Sequence, residues 1–188
     1  MSKIGVFFAE GFEEIEALTV VDICRRCGIE VEMVSAYGES SVLGSHGIMV
    51  GMDKALADVD FAAYDMLVLP GGGKGTKGLE ACVPLMAKVD EFYQEGKFVA
   101  AICAAPSIFG HRGFLKGRRA CSYPDFESHL EGALVTKGPV EVDGKVITSR
   151  GMGTSIDFAL AIAEIFCGRE AAEDMADKIV YRAKGQEK

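Results

Sequence analysis

Cysteine, carboxylate and glycine-rich segments are where this sequence could do chemistry. The apolar run Phe98 to Ile102 ends in Cys103, and Ala104-Ala105-Pro106-Ser107 follows with the composition of a helix start. A strand that delivers a cysteine onto the first turn of a helix is a nucleophile elbow. The sulfur then faces unpaired backbone N–H groups and the positive end of the helix dipole, and both favour the thiolate. The competing reading is an inert, buried thiol. A nucleophile also needs a proton carrier. Phe12, Glu16, Val20, Ile23 and Cys27 recur at helical spacing, so Glu16 is a carboxylate on an apolar stripe. A desolvated carboxyl holds its proton, and a protonated Glu can donate a hydrogen bond to a thiolate. Glu13, near Ala17, Val20 and Cys24, competes for that role, and both acids could instead simply favour the first turn of their helix.

Other motifs carry less. Gly71-Gly72-Gly73-Lys74-Gly75-Thr76 resembles a phosphate loop but has Val68 where its leading Gly belongs and Gly75 where Ser or Thr should follow Lys74. Gly73-Lys74-Gly75-Thr76-Lys77-Gly78 matches the dinucleotide fingerprint by letter, yet the next strand ends in Cys103 and not in an acidic residue. The stretch reads as a tight turn whose N–H groups face neighbouring strand ends, the arrangement from which oxyanion holes are built. Cys24-Arg25-Arg26-Cys27 has redox spacing but closes a helix, where the dipole has the wrong sign for a thiolate, so packing residues are expected. The six cysteines are scattered, which points to reduced thiols. None of His46, His111 and His129 stands where a base or, beside a cysteine pair, a structural zinc would need it. No metal and no cofactor are expected.

Such residues need a scaffold that brings separate loops together. Short apolar runs alternate with amphipathic stretches, the pattern of a parallel sheet covered by helices. Residues 3–9, 29–35, 65–69 and 97–102 read as strands, the last apolar enough to be central. Residues 12–27, closed by Gly28, and 79–94, interrupted near Pro84, read as helices, and a short helix follows Cys103 through Gly110. Residues 41–50 form a small hairpin, 119–123 and 134–136 short strands, and 139–142 with 145–149 a hairpin about Asp143-Gly144. Residues 154–166 are a helix with Thr154 and Asp157 spaced as a capping box, and a last helix runs from Arg169 to about Arg182 before a frayed 184–188 tail. In such sheets ligands bind beyond the carboxyl ends of the strands, where Cys103 lies.

Composition bounds the rest. The 188 residues, 49% hydrophobic and 26% charged, fit one domain spanning 1–188. Twenty basic against twenty-eight acidic residues leave a net charge of −8, which repels phosphate backbones and anionic membranes, so no nucleic-acid and no membrane partner is expected. No apolar run approaches the roughly 20 residues of a membrane span. Met1-Ser2-Lys3 runs directly into Ile4-Gly5-Val6-Phe7-Phe8 without signal-peptide character, so a cytoplasmic protein is expected.

Four linked segments resemble the ThiJ/PfpI family of the class I glutamine-amidotransferase-like superfamily, most closely its branch containing the parkinsonism-associated deglycase. They are Phe8-Ala9-Glu10-Gly11-Phe12-Glu13-Glu14-Ile15-Glu16, Val68-Leu69-Pro70-Gly71-Gly72, Ala100-Ala101-Ile102-Cys103-Ala104-Ala105-Pro106 and Thr148-Ser149-Arg150-Gly151-Met152-Gly153-Thr154. The resemblance implies a flavodoxin-like three-layer α/β sandwich with a mostly parallel central sheet, a homodimer, and a strained nucleophile elbow. It makes Cys103 the reactive cysteine, Glu16 the carboxyl that hydrogen-bonds it, and the Gly72 and Ala104 N–H groups an anion pocket. Arg25 and Arg150 match positions near the dimer interface and the site. Two departures stand out. Ala104 replaces the His that proteolytic members carry after the cysteine, and Tyr123 occupies a position where this branch often has His. Tyr123 can donate a hydrogen bond but is no base at neutral pH.

The expected function is therefore a cofactor-free, cysteine-dependent enzyme, a hydrolase or lyase, acting on reactive dicarbonyls or their early protein adducts, in the manner of a glutathione-independent glyoxalase or a deglycase. The rival expectation is an oxidative-stress sensor or protective chaperone working through oxidation of Cys103 to sulfinic acid. Hydrolysis of a small-molecule amide, or proteolysis, is a weaker third.

Overall fold

The computed structural model describes residues 2–181. Its elements run, in chain order, β1 (Lys3–Phe8), α1 (Glu14–Arg26), β2 (Glu30–Ser35), β3 (Ser41–Leu43), β4 (Met49–Gly51), β5 (Lys54–Ala55), β6 (Met66–Leu69), α2 (Gly73–Ala81), α3 (Val83–Gln94), β7 (Phe98–Ile102), α4 (Pro106–His111), β8 (Arg119–Ala120), β9 (Leu134–Val135), β10 (Val140–Asp143), β11 (Val146–Ser149), α5 (Ser155–Cys167) and α6 (Arg169–Lys178). Among the described residues, seven strands form the main sheet in the order β10-β11-β7-β6-β1-β2-β5, with every neighbouring pair parallel except β10 with β11.

Side-chain alternation along the strands creates two cores. Ile4, Val6 and Phe8 of β1, Met66 and Val68 of β6, and Ala100 and Ile102 of β7 join one apolar cluster, which the inner faces of α1, α5 and α6 complete. Phe7, Leu67, Leu69, Val99 and Ala101 point the other way into a second cluster with residues of α2, α3 and α4. Successive side chains on a strand leave opposite faces, so strands apolar at every position must be covered twice. The result is the expected flavodoxin-like three-layer sandwich. Because β1, β6, β7 and β11 are parallel, their carboxyl ends lie along one edge, and the loops after them hold Phe12, Gly71, Cys103 and Gly151.

Several sequence expectations shift. The helix expected over 79–94 begins earlier, at Gly73, and is divided into α2 and α3 at Cys82. Three glycines disguise its start. A Cβ at Gly75 would lie 2.7 Å from the Phe12 backbone, so close packing of two segments, rather than helix propensity, chose that residue. Pro84 sits in the first turn of α3, where its missing N–H costs nothing. The proposed Thr154–Asp157 capping box is not formed. The Thr154 hydroxyl instead bonds backward to the Gly151 carbonyl and to Ser149 Oγ, and Asp157 accepts from the Tyr181 hydroxyl. Helix α6 ends at Lys178, short of Arg182; that residue and the 184–188 tail lie outside the described residues. Edge strand β5, with only two residues, is too short to show any alternation.

Phe158, fully buried on α5, carries much of that helix's docking onto the sheet. Phe158→Ala should cost about 3–5 kcal/mol, read as a lower urea midpoint at unchanged m-value; a loss below about 1 kcal/mol would contradict the buried position.

Candidate functional site

Cys103 follows directly on β7 and has φ of 65°, one of two positive values among non-glycine residues described. That conformation costs about 1–2 kcal/mol and persists only where the surroundings impose it. Here they do: the Cys103 N–H donates to Ser149 O at the end of β11 (3.0 Å), and the Tyr123 N–H donates to Cys103 O (2.8 Å). The elbow turns the half-buried sulfur toward the N–H groups of Gly72 and Ala104, both of which hydrogen-bond it.

Glu16 projects from the first turn of α1 and is 1% exposed. Its Oε2 accepts from the Gly71 N–H at 2.9 Å, and its carboxyl hydrogen-bonds the Cys103 side chain. This contact explains the glycines after β6. A Cβ at Gly71 would fall 2.4 Å from Glu16 Oε2 and 2.6 Å from Cys103 Cβ. Gly72 has φ of 88°, and a Cβ there would sit 2.3 Å from Gly11 O.

Burial raises the Glu16 carboxyl from an ordinary 4.5 to about 7, against the opposing hydrogen bonds of Cys103 and Gly71. The Cys103 thiol is pushed up to about 12, first by burial and then by the charge of Glu16 and the hydrogen bond to it, while the Gly72 and Ala104 N–H groups pull it down. The N–H groups at the elbow therefore act in the expected direction but are outweighed. Two of the raising causes belong to ionised Glu16. With the proton on Glu16 both vanish, and the sulfur then faces three hydrogen-bond donors. Between about 7 and about 12 the pair thus holds one proton, shared between carboxyl and thiol.

Of the residues singled out from sequence, Cys103, Glu16, Gly72 and Ala104 come together, and Tyr123 stands beside them. Arg150 precedes Gly151 at the rim, with Nη2 3.6 Å from Glu127 Oε1. Arg25 is not brought to the sulfur. Its guanidinium bonds Val31 O near the start of β2 and Asp53 (2.7 Å), because the last turn of α1 points away from the strands' carboxyl ends. Glu13 faces Ser45 instead. Sequence reasoning missed three participants: Gly71, the Glu16 donor; Ser149, the anchor of the Cys103 N–H; and buried Glu14. Glu14 ties down the loop after β3. Burial opposes its charge, but the His46 backbone N–H and ring hold its carboxyl at about 2. Among the described residues Glu13, Glu14 and His46 could hold a metal ion, their ligand atoms lying within 4.8 Å of one another. Thirty-two residues separate Glu14 from His46, so no spacing motif announces the group. The buried pair Cys24 and half-buried Cys27 fit the packing reading, since burial raises both thiols. No described helix is long and apolar enough to cross a membrane.

A strained cysteine at the carboxyl edge of a mostly parallel sheet, with a buried carboxyl on its sulfur, defines a flavodoxin-like protein of the nucleophile-elbow kind. The chain belongs to the DJ-1/PfpI family, matching it over residues 2–165. Protein DJ-1 homolog B of Arabidopsis thaliana is 36% identical over 182 residues, covering 96% of this chain and 42% of that protein. The chain thus spans less than half the length of the two Arabidopsis homologues it matches. Protein dj-1beta of Drosophila melanogaster is 36% identical over 94% of this chain and 96% of its own. The glutathione-independent glyoxalase DJR-1.2 of Caenorhabditis elegans is 30% identical over 88% of this chain and 89% of its own. Oxidized Toxoplasma gondii DJ-1 superimposes with a TM-score of 0.92 at 33% identity, over 97% of this chain and 100% of that one. The family therefore includes a protein named as a glyoxalase.

The raised Glu16 value has a stability consequence. The unfolded chain ionises this acid near 4.5 and the folded one near 7, so its contribution is present in full below 4.5 and lost as pH rises through about 7. The loss is on the order of 3 kcal/mol. Glu16→Gln, which cannot ionise, should melt higher than the unaltered protein at pH 8, with the gain vanishing near pH 4. An equal gain at both pH values would contradict a buried, ionising Glu16.

Proposed function

We propose that this protein is a cysteine-dependent, cofactor-free enzyme acting on reactive dicarbonyls or the early adducts they form with proteins. Cys103 is the nucleophile and Glu16 the proton carrier. The observation that carries this reading is the buried Glu16 carboxyl, raised to about 7 and hydrogen-bonded to a sulfur on a strained elbow. An acid tuned to the operating pH can both give and take a proton within one cycle.

On a free α-oxoaldehyde, the thiolate attacks the aldehyde carbon, the C–S bond forms, and the carbonyl electrons move onto oxygen. The Gly72 and Ala104 N–H groups stabilise the alkoxide, which becomes the hydroxyl of a hemithioacetal on gaining a proton. Glu16, as carboxylate, removes the proton from the attacked carbon and delivers it to the neighbouring carbon, while the hemithioacetal hydroxyl proton passes to the former ketone oxygen, leaving a thioester of a 2-hydroxy acid. Water cleaves the thioester, releasing a 2-hydroxy acid and restoring the thiol. None of these steps is assigned to Tyr123, and His46, His111 and His129 bond Glu14, Glu80 and one another away from the sulfur. The name of the Caenorhabditis elegans relative supports this chemistry for the family.

A second reading rests on the same donors. Gly72, Ala104 and Glu16 would also hold the oxygens of a sulfinate on Cys103, as a peroxide sensor requires. Intact mass after mild peroxide separates the two: a gain of two oxygens at Cys103 in a protein without dicarbonyl turnover favours the sensor.

The reading includes a homodimer. Ile15 and Ile48 are 49% and 53% exposed beside Leu18 and Ile156, an apolar face that a second copy of this chain would cover. Ile48→Lys should shift sedimentation from dimer to monomer; unchanged sedimentation would place the dimer surface elsewhere.

Cys103→Ser should abolish turnover of methylglyoxal, and Glu16→Gln should lower kcat by roughly 10²–10⁴. Below about 7 the pair carries two protons and the sulfur is a thiol, so kcat/KM should rise with pH through that value. Full activity in Cys103→Ser, or a flat profile between pH 5 and 8, would sink the assignment.

A further inference from the structure

Glu14 is a buried carboxylate that no lysine or arginine meets among the described residues. It is 4% exposed, and its ion pair is with the imidazole of His46. Buried carboxylates ordinarily lie against a cation, either a basic side chain or a metal ion. The loop between β3 and β4 is shaped around this one. Gly44 lies outside the left-handed region, so its backbone does not require glycine, yet a Cβ there would collide with the Glu14 carboxyl. Main-chain bonds fix the loop to the segment before α1: the Gly11 N–H donates to Leu43 O and the Ser45 N–H to Phe12 O, each at 2.8 Å.

Four polar atoms converge at this junction. His46 Nδ1 lies 3.5 Å from Glu13 Oε2 and 3.1 Å from Glu14 Oε2. Ser45 Oγ is 3.0 Å from each of those oxygens and 2.9 Å from the same nitrogen. A tetrahedron of ligands about zinc, with bonds of about 2.0–2.1 Å, has edges of about 3.3 Å. The distances of 2.9–3.5 Å bracket that edge, and the Glu13, Glu14 and His46 ligand atoms all lie within 4.8 Å of one another. Hydrogen bonding alone satisfies the group poorly. Ser45 has one hydroxyl hydrogen for two carboxylates, so one of those oxygens is always left facing a lone pair.

We propose that Glu13, Glu14 and His46, with the Ser45 hydroxyl as a fourth vertex, bind one divalent transition-metal ion of the zinc class, which fastens the start of α1 to the β3–β4 loop. Two carboxylates and an imidazole suit zinc, whereas calcium and magnesium favour shells of oxygen alone. The His46 side chain, 69% exposed, leaves the ion a way in from solvent. The ion is structural. The carbonyl chemistry proposed above uses none of these four residues, and the inference stands independently of it.

Zinc binding is to be measured by titration against a chromophoric chelator in Cys103→Ser/Cys167→Ser, which removes the elbow thiol and the exposed one. One ion should bind per chain, and adding His46→Ala should weaken it at least about tenfold. Zinc should raise the melting temperature of the unaltered protein and leave that of His46→Ala unchanged, while the two melt together in chelator. No binding, or equal binding with and without His46, overturns the proposal. Should the cysteine variant not fold, cobalt(II) on the unaltered protein decides. Visible bands without thiolate charge transfer, lost in His46→Ala, support the site; bands that all carry thiolate charge transfer overturn it.

Discussion

A buried carboxyl sharing one proton with a half-buried thiol is the interaction on which the rest of this structure depends. Glu16 is almost wholly buried, so its charge must be met by fixed protein groups and not by solvent. The Gly71 N–H meets the carboxyl, and the Gly72 and Ala104 N–H groups meet the sulfur. Each demands a backbone in a particular place: no Cβ at 71, a positive φ at 72, and a positive φ at 103 that the bonds to Ser149 and Tyr123 hold.

Such an arrangement is unstable by itself. A carboxyl held near 7 and a cysteine in a glycine-like conformation together oppose folding by several kcal/mol, on the order of the whole stability of many domains. They persist because the loops that carry them are anchored to strands with apolar clusters on both faces. Residues at the carboxyl ends of β6 and β7 alternate between the two cores, so neither loop can relax without pulling Leu69 or Ile102 out of its packing. Strain at the edge and density in the middle are parts of one design.

The proton shared by this pair also links stability to chemistry. The same desolvation that destabilises ionised Glu16 brings its pKa to the range where proton transfer in both directions is fast. Relieving the burial would make the fold more secure and return the carboxyl toward its ordinary range.

Much of this was legible in the chain itself. The apolar run into Cys103, the helical stripe that buries Glu16, and the alternation of strands with helices follow from periodicities of 2 and 3.6, and the structure keeps all three. So does the packing role of Cys24 and Cys27. What the sequence could not decide is everything that depends on residues far apart in the chain. Gly73 to Gly78 read as a loop because glycine disfavours helices, yet α2 forms there since only glycine lets it approach the Phe12 backbone. Thr154 and Asp157 had the spacing of a cap, but Ser149 and Tyr181 claimed their side chains. Nothing local marks Glu14 for burial; the loop carrying His46 closes over it. The helix dipole promised a lowered Cys103 thiol, and the burial that outweighs it exists only after packing. Local pattern specifies which face of an element is apolar, and therefore which residues can reach a strand end. Desolvation, close backbone approach and the choice among competing hydrogen-bond partners belong to neighbours in space, and only the tertiary structure supplies those.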